Sequence, residues 1–228
     1  MKSISFNNYL FRCSSLGGLM TYPKKDTLSA GPKGILATIF KEELFQKSST
    51  IRSKYLDKGL IVENEAIDMY NKFVGKQYKK NTKRYDNDYI TGEPDIIDDE
   101  LIDIKSSWDY STFPLTETEL PNKDYYWQMQ GYMGLTGAEV SKVIYCLVDT
   151  PDEIIFHEMK VVERKLGVME LPEGIEHEIW DSHKYGEIPE KLRIKEFVVE
   201  RNDGDIEKLY HRVEICREYL NSLTQILI

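Results

Sequence analysis

The five residues Leu101 to Lys105, read LIDIK, restrict this chain more than any other stretch of it. In an extended strand alternate side chains face opposite ways, so Ile102 and Ile104 take one side and Asp103 and Lys105 the other. The apolar side demands a packing layer, and the second side projects a carboxylate and an ammonium together. The preceding run Tyr89 to Ile97 is also rich in strand formers, and it reads with Leu101 to Ser107 as an antiparallel pair. A two-residue turn at Asp98-Asp99 sets Asp95 opposite Ile102, on the side away from Asp103. A three-residue connection over Asp98 to Glu100, or one bulge, sets Asp95 across from Asp103. The second register is expected, because two carboxylates meeting in a largely dry site require a divalent cation. The competing arrangement is an Asp95-Lys105 ion pair across an exposed hairpin.

Charge is divided sharply around this pair. Eight acidic residues lie between Asp86 and Asp103 with no basic residue among them. Just before them, Lys72, Lys76, Lys79, Lys80, Lys83 and Arg84 follow one another with no acid. A cationic arm beside an anionic pocket suits a polyanion held over metal ions; a solvated, lysine-rich helix end and loop is the other reading. The net charge of -9 argues against a surface that is basic everywhere, but it does not speak against a local site built from carboxylates.

Glu63 is the third unusual acid. Leu60, Ile67, Tyr70 and Val74 form an apolar stripe on a helix expected from Gly59 to Val74, and Glu63 falls within it. A buried carboxylate is costly without a partner, so Glu63 is expected to meet a cation or a metal, unless it reaches solvent at the rim of the core. Glu65 lies about 200° around the helix, where water can reach it. Further helices are expected over Gly34 to Gln46, over Asn122 to Gly137 and over Asp205 to Leu227, with strands over Val140 to Val148 and Arg193 to Glu200. Gln128 and Gln130 sit on the second of these helices, which is apolar nearly all round, so their amides need partners. Gly131, Gly134 and Gly137 are expected to let that helix approach the sheet. The pattern suits an α/β fold, a mixed central sheet flanked by helices.

With 228 residues and 41% hydrophobic content the chain can bury a core as one domain. Cys13, Cys146 and Cys216 are dispersed, which excludes a zinc ribbon and argues against a disulfide framework. No apolar leader and no stretch of about 18 apolar residues is present, so a cytoplasmic protein with no membrane span is expected. The four histidines show no ligand spacing. Trp108 and Phe113 either stack on bases or close the core.

The order Gly59-x-x-x-Glu63-x-x-Ala66, then Pro94-Asp95, then Asp103-Ile104-Lys105, then Gln128-x-Gln130 with Tyr132 resembles the PD-(D/E)XK nuclease superfamily, and within it the viral alkaline exonuclease branch of phage lambda exonuclease and the YqaJ-type recombinases. The likeness covers roughly residues 10 to 150. It implies a restriction-endonuclease-like core in which Glu63, Asp95, Asp103 and the carbonyl of Ile104 hold one or two Mg²⁺ or Mn²⁺ ions. Lys105 would be the catalytic lysine, with Gln128 and Gln130 close to it. It further implies that Arg12, Ser14 and Ser15 grip a 5′-terminal phosphate, and that Lys79, Lys80 and Tyr132 contact DNA. Double-stranded DNA ends, a single-strand annealing protein and a trimeric ring are the partners the likeness implies. A RecB-like repair or CRISPR-associated nuclease and a non-catalytic DNA-binding module are the alternatives; three scattered cysteines count against the four-cysteine members of the RecB group. Residues 151-228 match no part of the family and their role is left open.

Overall fold

The protein, seen in a computed structural model, is described over residues 4-23, 25-48 and 54-226, without the side chains of 54-57. The chain begins with β1 (Phe11–Arg12), a 3₁₀ turn (Cys13–Ser15), α1 (Leu16–Leu19), α2 (Ala30–Phe45) and α3 (Lys54–Val74). Strands β2 (Tyr85–Asp86), β3 (Ile90–Gly92), β4 (Ile96–Ile97) and β5 (Leu101–Ser106) follow, then α4 (Lys123–Thr136) and β6 (Val140–Cys146). Beyond these come α5 (Asp152–Leu166), α6 (Glu173–Asp181), β7 (Ile194–Glu200) and α7 (Asp203–Gln225).

The main sheet runs β4-β5-β6-β7. Its β5 and β6 are parallel, and the other two pairs are antiparallel. Parallel neighbours need a crossover, and α4 supplies it. The alternation along β5 then fixes the layers. Ile102 and Ile104, with Ile96, Ile144, Cys146 and Val148, pack on Val62, Ala66, Ile67 and Tyr70 of α3. Leu101, Val143, Tyr145, Phe197 and Val199 face the opposite layer, where α4 brings Met129 and Met133 and α7 brings Leu209, Val213 and Cys216. All three cysteines are buried and free.

Ile96 pairs with Ile102 and Ile97 with Leu101, so the connection spans Asp98, Asp99 and Glu100 and the same register carries Asp95 across from Asp103, as expected. The Asp98 N–H closes this connection on the Glu100 carbonyl at 3.1 Å. The run Tyr89 to Ile97, in contrast, is not one strand. It breaks between β3 and β4, and β3 belongs to a separate sheet ordered β1-β3-β2. Pro94 sits in the break, where it has no N–H to give to a ladder. The carbonyls freed there are taken by Asn81, whose backbone N–H donates to Asp95 O (2.7 Å) and whose Nδ2 donates to Pro94 O (2.9 Å).

Other differences have equally local causes. Leu60, assigned to the apolar stripe of α3, is 73% exposed; the buried row is Lys58, Val62, Ala66 and Tyr70, at four-residue spacing. Gly131 and Gly134 serve contacts other than those with the sheet. A Cβ at Gly131 would lie 2.8 Å from Leu16 and one at Gly134 2.7 Å from Tyr210, so they admit α1 and α7 to α4. Gly137 ends α4 at φ +78°. The helices α5 and α6 were not anticipated. Each follows a proline, carries acids in its first turn, and packs around Ile155, Met159 and Leu171. Among the described residues no helix is long and apolar enough to cross a membrane.

The tightest approach between helices is at Gly17 of α1, where a Cβ would stand 2.3 Å from the Asp124 Cα at the start of α4. Gly17→Ala is expected to cost roughly 1–3 kcal/mol or more by overpacking against backbone. Gly34→Ala, in an open position on α2, should instead stabilise by about 0.5–1 kcal/mol. Urea denaturation of both variants checks the pair.

Candidate active site

Three parts of the chain deliver the acids and the lysine to one cleft of about 500 Å³, and α4 lines it as well. Glu63 comes from α3, Asp95 from the break before β4, Asp103 and Lys105 from β5, and Tyr125 and Gln128 from α4. Because β4 begins only at Ile96, the edge of β5 beyond Ile102 has no backbone neighbour. The Asp95 carboxylate fills that place: its Oδ2 accepts from the Ile104 N–H at 2.6 Å. The N–H and C=O of one strand residue point to the same side, so the Ile104 carbonyl opens on this edge as well.

Asp103 is 2% exposed. Gln128 Nε2 donates to its Oδ1 at 3.0 Å and also to the Tyr132 hydroxyl at 3.0 Å. Lys105 Nζ stands 2.5 Å from Oδ2, so the ammonium is the partner of this buried oxygen, which has no other. The ammonium of Lys105 also lies over the Tyr125 ring, 4.6 Å from its centroid. The ion pair in this structure is therefore Lys105-Asp103, and no Asp95-Lys105 pair forms. Burial, followed by the charge of Asp103, lifts the Asp95 carboxyl well above its usual range, against the pull of Lys105 and the Ile104 N–H. Burial alone would lower Lys105, but Asp103 outweighs it and leaves the ammonium more firmly protonated.

Glu63 reaches the same cleft from the far layer, with its side chain 17% exposed, and pairs with Lys80 at 2.5 Å. Among the described residues no three His, Cys, Asp or Glu side chains are gathered into a cation cage; Glu63 is turned to Lys80 and Asp103 to Lys105. The donors themselves fit a hard divalent ion. Two carboxylates crowded enough to raise a pKa, a buried Asp103 oxygen partnered by the Lys105 ammonium alone, and a backbone carbonyl on an open edge are the oxygen ligands such ions take.

The remaining expected residues divide. Arg12 and Ser14 are exposed and line a notch of about 200 Å³ with Arg84, Glu93 and Tyr132, next to the cleft. Ser15 does not line this notch; its hydroxyl donates to the Arg12 carbonyl at 3.0 Å, and with Arg12 it lines a separate groove against α2. Gln130 does not reach the catalytic groups. Its Nε2 donates to Glu200 O (2.7 Å) and its Oε1 accepts from the Asn202 N–H (2.9 Å), so it joins α4 to the end of β7. Tyr132 is 4% exposed and lies under the cleft floor, where it holds Gln128 rather than presenting a face to DNA. Lys79 is exposed and has no ion pair among the described residues, whereas Lys80 is paired. Trp108 and Phe113 are both 8% exposed, Trp108 on the cleft wall and Phe113 in the core. His183 is buried, and its Nδ1 lies 3.0 Å from the Thr150 hydroxyl.

Tyr125, Asn81 and Lys58 escaped the sequence reading. Lys58 heads the four-residue row on α3 and is 1% exposed; its ammonium donates to Trp108 O (2.9 Å) and Val148 O (3.0 Å), tying α3 to the ends of β5 and β6. The row itself was the available signal.

A mixed sheet with Pro94-Asp95 at a strand break and Asp103-x-Lys105 on the next strand, under a helix bearing an acid, is the restriction-endonuclease-like core of the PD-(D/E)XK superfamily. Comparison with solved structures finds the same fold. It is similar to a phage-related exonuclease from Haemophilus somnus 129PT, at 26% identity over 97% of each chain and a TM-score of 0.79. It is also similar to an alkaline exonuclease from Laribacter hongkongensis, at 16% identity over 97% of this chain and 92% of that one, with a TM-score of 0.66. The complex of that enzyme with dAMP matches equally well, at 17% identity. The fold is that of the viral exonuclease branch of the superfamily. No protein-family model matches the chain, and no curated protein does.

Lys58 provides a test of how the site wall is held. Burial, against Asp109, Asp149 and Glu65 and aided by Lys184, lowers its ammonium from the ordinary 10.5 to about 8. Between pH 8 and 10.5 the unfolded chain then binds more protons at this residue than the folded one, so stability rises with pH across that window. Relative to Lys58→Met, the wild type should gain on the order of 3 kcal/mol between pH 7.5 and pH 10.5. Urea denaturation at the two pH values measures it, and an unchanged difference contradicts the buried ammonium.

Proposed function

We propose that this chain is a metal-dependent DNA exonuclease that hydrolyses phosphodiester bonds from double-stranded ends, 5′ to 3′, and leaves 5′-phosphate products in phage-type recombination. The observation that carries this reading is the meeting of Glu63, Asp95 and the Asp103-Lys105 pair, from three separate places in the chain, at one cleft. The likeness in structure to a phage-related exonuclease and an alkaline exonuclease supports it. Glu63, Asp95, Asp103 and the Ile104 carbonyl would hold one or two Mg²⁺ or Mn²⁺ ions. When bound, these supply a water of lowered pKa and neutralise the scissile phosphate.

The chain's own groups do the rest. Lys105 orients the attacking water and stabilises the charge that grows on the phosphorus-bound oxygens. Asp103 and the Tyr125 ring fix its ammonium in place, and Gln128 fixes Asp103. The water oxygen bonds to phosphorus, the bond to the 3′ oxygen breaks, and that oxygen leaves as a 3′-hydroxyl after taking a proton. Arg12 and Ser14, with Arg84 beside them, would take a 5′-terminal phosphate through guanidinium and hydroxyl donors. Lys79 would follow the strand. A single-strand annealing partner and a trimeric ring belong to this proposal by family likeness alone.

Linear duplex incubated with Mg²⁺ should be lost progressively from its ends, faster with 5′-phosphate than with 5′-hydroxyl, and chelation should stop the reaction. Lys105→Ala is expected to lower the rate on the order of 100- to 1,000-fold. Nicking of closed circles would instead mark a RecB-like endonuclease, and binding without hydrolysis a non-catalytic module.

A further inference from the structure

The cationic arm does not stand apart from the acids. Lys80 Nζ lies 2.5 Å from Glu63 Oε2, with Lys80 43% and Glu63 17% exposed along their side chains, so the ammonium sits at the mouth of the cleft. Its neighbour Asn81 is stitched to the Pro94 and Asp95 carbonyls. The backbone of Lys80 is thereby fixed relative to the acids, while four flexible methylenes leave its ammonium able to swing. Asp95 and Glu93 add to the attraction that holds it inward. A divalent ion at Glu63 needs the same carboxylate, and it repels an ammonium at this distance.

We infer that Lys80 is an internal counter-ion for Glu63 that a divalent cation displaces. The released ammonium then takes a phosphate of the DNA strand, and metal and DNA binding reinforce each other through this one pair. The inference rests on the nuclease reading and adds to it a coupling between two ligands. Linkage makes that coupling reciprocal: phosphate drawing Lys80 outward must favour the metal as much as the metal favours phosphate. Lys79, one residue earlier and without an ion pair among the described residues, is available to DNA in either state.

The test separates the pair from general electrostatics. Binding of a short 5′-phosphorylated duplex is measured in EDTA for wild type, Glu63→Gln, Lys80→Gln and the double variant, over a range of salt. Glu63→Gln should free Lys80 without metal, tighten binding roughly three- to tenfold and steepen the salt dependence by about one released ion. In the Lys80→Gln background both gains should vanish. On DNA-free protein, free Mn²⁺ read by electron paramagnetic resonance should show Lys80→Gln binding Mn²⁺ about tenfold more tightly than wild type. A Glu63→Gln gain that survives in the double variant, or Mn²⁺ affinity unmoved by Lys80→Gln, overturns the coupling alone. Wild-type protein that binds neither Mn²⁺ nor duplex overturns the nuclease reading and the coupling with it. Both side chains are partly exposed at the rim, and matching thermal melts of the four proteins confirm that folding is unaffected.

Discussion

The hydrogen bond from the Ile104 N–H to the Asp95 carboxylate organises the site. It exists because the chain stops being a strand at Pro94, so a side chain occupies an edge position that backbone would otherwise fill. Three consequences come from this one substitution. Asp95 is held against Asp103, in the register that the three-residue connection sets. The Ile104 carbonyl is left on the same open edge. The gap also lets Glu63, on the opposite layer from Asp103, reach the common cleft. A continuous β3-β4 strand would preserve the sheet and close the site.

Opposite charge is then distributed around the gap pair by pair. Lys72 meets Glu190, Lys76 meets Asp99, Lys80 meets Glu63 and Arg84 meets Glu93. Exposed pairs of this kind contribute little stability. Their effect is positional: Lys80 is held at the acidic cleft through Glu63, with Asn81 as the fixed point beside it. The net charge of -9 conceals this order, since what a polyanion meets is the local arrangement and its freedom to reorganise.

Much of this could be read from residue order. The alternation in Leu101 to Lys105 determined which side chains share a face, and the acids around it made one register far more reasonable than the other. Glu63 stood out because an acid interrupted an apolar stripe. What escaped the reading depends on contacts across distant segments. Gln130 and Gln128 lie about 200° apart around α4, so helix geometry already sends them to different sides; which side meets Asp103 and which the β7-α7 junction is set by the tertiary packing. Leu60 was misplaced because its stripe was aligned on apolar residues, whereas a lysine, Lys58, heads the buried row. The break at Pro94 was underrated because flanking β-formers on both sides masked it.

The C-terminal third explains how the Arg12-Ser14 notch and the cleft keep their spacing. Strand β7 extends the main sheet and α7 covers the face that α4 shares. From α7, Arg212 donates to the carbonyls of Tyr22 and Lys25, Arg217 to those of Tyr9 and Asp88, and Asn221 accepts from the Phe6 N–H. These bonds bracket the segment that carries Arg12 and Ser14 on both sides. Tyr126 of α4 donates to Asp205 of α7 at 2.7 Å. One helix thus grips both the N-terminal segment, which would hold a strand end, and the element that orients Asp103. The spacing between the Arg12-Ser14 notch and the acidic cleft is therefore set by α7, the element bonded to both sides.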